Sequence, residues 1–153
     1  MSLDACSGFL DALALLNVGT DHVPDYSIVR LPSATSCRSS LELHFASLST
    51  SLSAKQPASA WHIELANVPD DWIQVVATAA RRWFFEQRFS PRVEPEVANE
   101  LVSRFIELLQ AAVGSAGAWS VNVAPPMWYE CTWQDFAFES PSGTWLLHFG
   151  FSD

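Results

Sequence analysis

Several things are scarce in this 153-residue chain, and each scarcity closes off a class of function. Lys and Arg number only 8 against 17 Asp and Glu, for a net charge of −9, and residues 114 to 153 hold no Lys or Arg at all. Such a surface repels phosphate backbones, so direct nucleic-acid binding is disfavoured and a basic partner is favoured. The six glycines are scattered and none builds GxGxxG or GxxxxGK, so no nucleotide cofactor is expected. No run reaches the eighteen consecutive apolar residues of a membrane span. Cys6, Cys37 and Cys131 are odd in number and lie far apart without a CxxC pair, which fits reduced structural thiols better than a disulfide framework. Asp4 and Asp11 stand where a secretory signal would carry Lys or Arg, so the expected location is the cytoplasm.

What is present is apolar, at 49% of residues, enough for one packed domain over 1–153. Phe9, Leu10, Leu13 and Leu16 predict a helix over Leu3–Asn17, with Gly19 as its stop. Tyr26–Leu31 is rich in strand formers, and Pro32 closes it. "LELHF" alternates, with Leu41, Leu43 and Phe45 opposite Glu42 and His44, and "WHIEL" alternates likewise from Trp61 to Leu65. Both read as strands, paired in an antiparallel ribbon that places His44 and His62 on neighbouring strands. The stretch between them, Ala46 to Ala60, reads as the strand end and a loop. Trp72, Val75, Val76, Ala79, Ala80, Trp83 and Phe84 follow helical spacing, as do Val97, Leu101, Phe105, Leu108, Leu109 and Ala112 behind Pro95 at a first helical turn. "WSVNV" suggests a further short strand.

The C-terminal "DFAFESPSGTWLLHFGFSD" is a predicted hairpin. Ser140, Pro141 and Gly143 stand first, second and fourth of a type I turn, giving a four-residue loop. Glu139 then lies opposite Thr144, Phe138 opposite Trp145, Phe136 opposite Leu147 and Asp135 opposite His148. One face is apolar, to cover the two central helices, and the other carries the Asp135–His148 pair. The expected architecture is α+β: an antiparallel sheet, two central helices on one face, an N-terminal helix and the hairpin.

Candidate chemistry is thin. Asp135 and His148 would make two thirds of a charge relay, but Ser140, Ser142 and Ser152 sit in no nucleophile elbow, and a cross-strand ion pair accounts for them. Asp135 and Glu139 are separated by roughly 13 Å of strand, too far for paired-acid glycoside hydrolysis. Cys37, His44, His62 and Cys131 lack the close spacing of a zinc motif, so no metal is expected. Arg81, Arg82, Arg88 and Arg92 cluster at a helix end, where cations complement the dipole.

With the hairpin in view, "FAFESPSGTWLLHFGFSD" resembles the close of some immunity proteins from bacterial polymorphic toxin and contact-dependent growth inhibition systems. These are small, acidic, cytoplasmic proteins that bind and neutralise a cognate toxin domain, often a nuclease. The resemblance covers about the last twenty residues with overall size and charge, and it carries over no binding residue. It implies a non-enzymatic protein whose partner is a basic toxin domain. Exposed acids suited to such a partner would be Asp70, Asp71, Glu94, Glu96, Asp135 and Glu139. A small enzyme using Asp135 and His148, and a structural adaptor with an aromatic surface, stand as the alternatives.

Overall fold

The C-terminal hairpin forms the middle of the molecule. In the computed structural model, which describes residues 2–19, 21–52, 61–126 and 128–152, strands β4 (Thr132–Ser140) and β5 (Gly143–Ser152) pair with Phe138 opposite Trp145, Phe136 opposite Leu147 and Asp135 opposite His148. This is the register read from the turn. Pairing continues to Ser140 and Gly143, so only Pro141 and Ser142 lie outside the strands, a tighter connection than a four-residue loop. Gly143 has φ 148°, a conformation that residues with a Cβ rarely adopt, and Arg30 donates a hydrogen bond to the Ser142 carbonyl at 2.6 Å.

Three more strands complete an antiparallel sheet of order β1-β5-β4-β3-β2: β1 (Val23–Arg30), β2 (His62–Asn67) and β3 (Gly117–Ala124). Alternation of side chains gives the sheet two faces. Against the first pack α1 (Ser2–Asn17), α3 (Trp72–Phe85) and α4 (Pro95–Val113). Tyr26, Trp83, Phe84, Phe105, Phe136, Phe138, Trp145, Leu147 and Phe149 meet there in one buried cluster. Burying each fully enclosed Phe contributes about 1.5–3 kcal/mol. Two polar atoms inside are satisfied locally: the Tyr26 hydroxyl donates to the Trp83 carbonyl at 2.8 Å, and Trp83 Nε1 donates to Gln134 at 3.0 Å. Burial of α1 departs from expectation at its end, where Leu16 is exposed and Asn17 is buried, its amide donating to the Leu13 and Phe84 carbonyls at 2.9 and 3.1 Å.

The largest correction concerns "LELHF". It lies within a helix, α2 (Cys37–Leu52), which packs on the second sheet face, and the ribbon with "WHIEL" does not form. β2 pairs instead with β3. Five residues of alternation were too short to separate a strand from a helix, because Leu41 and Phe45 also stand one helical turn apart. Extending the window resolves it: Cys37, Leu41, Phe45 and Leu48 form one stripe towards the sheet, while Leu43 is 52% exposed. Ser36 Oγ accepts from the Ser39 amide at 3.2 Å and so caps the first turn. The loop read over Ala46–Ala60 is therefore helix as far as Leu52, and residues 53–60 lie outside the described part.

Candidate functional site

The second sheet face is apolar at the β2–β3 side and polar towards β1. Val121, Val123, Ala137 and Leu146 pack under α2, and beyond them lie Asp135, His148, Asp25 and Ser27. His148 on β5 is the hub. Its Nδ1 is 2.6 Å from Asp135 Oδ1, and its Nε2 is 3.1 Å from Glu130 Oε2. The three side chains are 6%, 0% and 8% exposed, so this is a buried carboxylate–imidazole–carboxylate triad. The Tyr129 hydroxyl lies 3.5 Å from Nδ1, and Asp135 Oδ2 has no hydrogen-bond partner among the described residues.

Each member is positioned by a different device. Asp135 and His148 meet because the hairpin register puts them directly across from each other. Glu130 comes from the irregular segment before β4, tethered by the Cys131 amide donating to the Phe151 carbonyl at 3.1 Å. Gly150 makes its approach possible: a Cβ there would collide with the Glu130 carboxylate and crowd His148 Nε2. Asp25 stands opposite Gly150, and Ser27 opposite His148, on the edge strand β1.

Electrostatics follows from this enclosure. Burial by itself lowers the His148 pKa, but hydrogen bonds to Asp135 and Glu130 and their negative charges outweigh it and push it up to about 10. Burial pushes Asp135 and Glu130 upward as well, with His148 opposing the rise. The proton shared by the triad resides on the imidazole, because two carboxylates hold it there. Burial raises the Tyr129 hydroxyl, helped by the charges of Asp135, Glu130 and Asp25, and lowers the His44 imidazole. A cavity of about 350 Å³ opens beside the triad, lined by Asp25, Ser27, His44, Tyr129, Glu130 and His148 over an apolar floor that includes Leu146.

A Ser–His–Asp relay is not assembled here. Ser27 lines the cavity next to His148, but Nε2, the nitrogen that a hydroxyl nucleophile would need, is directed at Glu130. The two buried thiols are poor nucleophiles: burial pushes Cys6 up to about 12 and Cys37 up to about 11.

The acids expected to face a partner are dispersed. Asp70 and Asp71, both exposed, precede α3, while exposed Glu94 and Glu96 begin α4 beside the far end of α3, near Arg81 and Phe85. The 14 residues of α3 hold the two pairs about 20 Å apart. Glu139 is half-buried, opposite Gly117. Asp135 is 1% exposed and committed to His148, which corrects its inclusion in a contact surface. His44 and His62 also separate: His44 rises from α2 to the cavity, and His62 is exposed on β2, 3.4 Å from Glu64. Arg81 pairs with Glu86 at 3.2 Å and Arg82 donates to Gln134 at 2.7 Å.

A second surface feature was not legible from spacing. Where α1 ends and β1 begins, Leu15, Val18 and Val23 are 74%, 51% and 60% exposed and share a depression of about 360 Å³ with Asp11 and Asp25. Asp21 follows on the same loop, its carboxyl held below the usual range by a hydrogen bond from His22. No helix among the described residues is long and apolar enough to cross a membrane. No protein-family model matches the chain, and neither a curated protein nor a solved structure matches it.

Proposed function

We propose that this chain is an immunity protein: a cytoplasmic, non-enzymatic inhibitor that occludes a basic toxin domain, such as a nuclease. The observation that carries the reading is the α1–β1 corner, where Leu15, Val18 and Val23 stand exposed between Asp11, Asp21 and Asp25. Single exposed aliphatic residues are ordinary, but three sharing one depression with an acidic border offer an apolar anchor and a charged rim together. A cationic enzyme surface complements both parts. The net charge of −9 supplies long-range attraction, and Asp70, Asp71, Glu94, Glu96 and half-buried Glu139 add to the field that steers encounter. Both nitrogens of His148 being engaged by carboxylates supports leaving the Asp135–His148 pair out of catalysis.

Co-expression with the protein encoded immediately upstream tests the proposal. Rescue from that protein's toxicity, with co-purification of the two chains, is the expected result. Toxicity unaffected by this chain would overturn it, and concentration-dependent self-association without toxin capture would favour an adaptor role instead.

A further inference from the structure

We propose that Asp25, Glu130 and His148 form a binding site for a divalent transition-metal cation of the zinc kind, with Asp135 orienting the imidazole from behind. One ligand atom from each of the three lies within 4.8 Å of the others, at the wall of the 350 Å³ cavity. Tetrahedral zinc–ligand bonds of about 2.0–2.2 Å place neighbouring ligand atoms about 3.3–3.6 Å apart. Glu130 Oε2 and His148 Nε2, at 3.1 Å, need to part by only a few tenths of an ångström to reach it. Asp25 is an exposed side chain on the edge strand, so rotation of its carboxylate closes the remaining gap. The cation takes the place of the proton that Nε2 and Glu130 share.

The surroundings favour a cation for two further reasons. Asp135 on Nδ1 makes the carboxylate–histidine pair that metal-ligating imidazoles characteristically have, fixing the ring and leaving Nε2 as the donor. Independently, among the described residues, the same Asp135 carboxylate is buried with Oδ2 unpartnered and no Lys or Arg lines the cavity. Three carboxylates around one imidazole leave negative charge that a divalent ion neutralises. An imidazole with two carboxylates suits zinc or its neighbours better than magnesium, and the cavity leaves room for water or a ligand at the open positions. The ligands come from positions 25, 130 and 148, so no local spacing announces them.

The test is a calorimetric titration of the chelator-treated full chain with zinc chloride, using magnesium chloride as the comparison. One zinc per chain is expected, with a rise in Tm, and little response to magnesium. Asp25→Asn and Glu130→Gln should each weaken zinc binding roughly tenfold or more. Cys131→Ser, adjacent to Glu130, should bind as the wild type does. Ring ¹⁵N shifts of His148 in the zinc-bound protein should show the proton on Nδ1, and Asp135→Asn should disturb that signature. Absence of saturable zinc binding, equal affinity in Asp25→Asn and Glu130→Gln, or loss of binding in Cys131→Ser would overturn the site; an unchanged ring signature in Asp135→Asn would overturn the orienting role. No toxin enters the experiment, so its outcome is separate from that of the proposed function.

Discussion

Two acidic regions of this molecule differ in what their carboxylates are for. At the polar end of the second sheet face, Asp135 and Glu130 are enclosed and spend their charge on His148. At the α1–β1 corner, Asp11 and Asp21 are exposed beside Leu15, Val18 and Val23; Asp21 spends part of its charge on its neighbour His22, and the apolar surface faces solvent. The buried acids are costly to ionise and therefore have to be paired within the chain, whereas the exposed ones keep their field for a partner. Asp25 belongs to both regions, at the wall of each depression. Composition counts all these acids alike; only their enclosure separates structural charge from charge on offer.

Removing the buried cation breaks the comparison most severely. His148→Leu leaves Asp135 and Glu130 buried without a counter-charge, and a loss of about 3–5 kcal/mol is expected in urea unfolding. A loss also follows from deprotonating the ring. The folded-state pKa of His148, about 10, lies above its ordinary value of 6.5, so its stabilisation is complete below about pH 6.5 and disappears as pH rises through 10. Asp135 and Glu130 are shifted upward too, so the folded state again holds protons more tightly and the sign is the same. Unfolding free energy of the chelator-treated protein should therefore fall across that window, and a flat profile would mean that the triad is not coupled as the geometry indicates.

The exposed region responds in the opposite way. Leu15→Asp with Val18→Asp should change stability by less than about 0.5 kcal/mol per site. The same pair should weaken toxin binding tenfold or more, about 1.4 kcal/mol, through faster dissociation. The smallest effect belongs to the remote acids. Glu94→Gln with Glu96→Gln should slow association a few-fold at low salt, flatten its salt dependence, and leave the dissociation rate unchanged. Stopped-flow association at two ionic strengths distinguishes these outcomes.

Much of the buried region was legible because strand pairing is periodic. The Ser140–Gly143 turn sets the register, and the register alone puts Asp135 against His148. Glu130 was not legible, since it arrives from an irregular segment with no periodicity, although Gly150 within an apolar strand was a signal that something approaches the backbone closely. The enclosure of the triad also escaped, because "LELHF" satisfied two periods at once and the helix above this face went unrecognised. The exposed corner was invisible for a related reason: Leu16 reads as a member of the buried stripe, and only the docked position of α1 shows which of its apolar residues face water. Spacing identifies candidates for burial, whereas packing decides among them.

The most direct test of the central claim measures binding between the purified chain and the protein encoded immediately upstream, as the proposed toxin, for the wild type and for Leu15→Asp/Val18→Asp, at low and physiological salt. The account predicts tight wild-type binding that weakens with salt and falls at least tenfold in the double variant while its urea midpoint stays in place. Equal affinity of the two proteins for the toxin, or no binding by either, would contradict it.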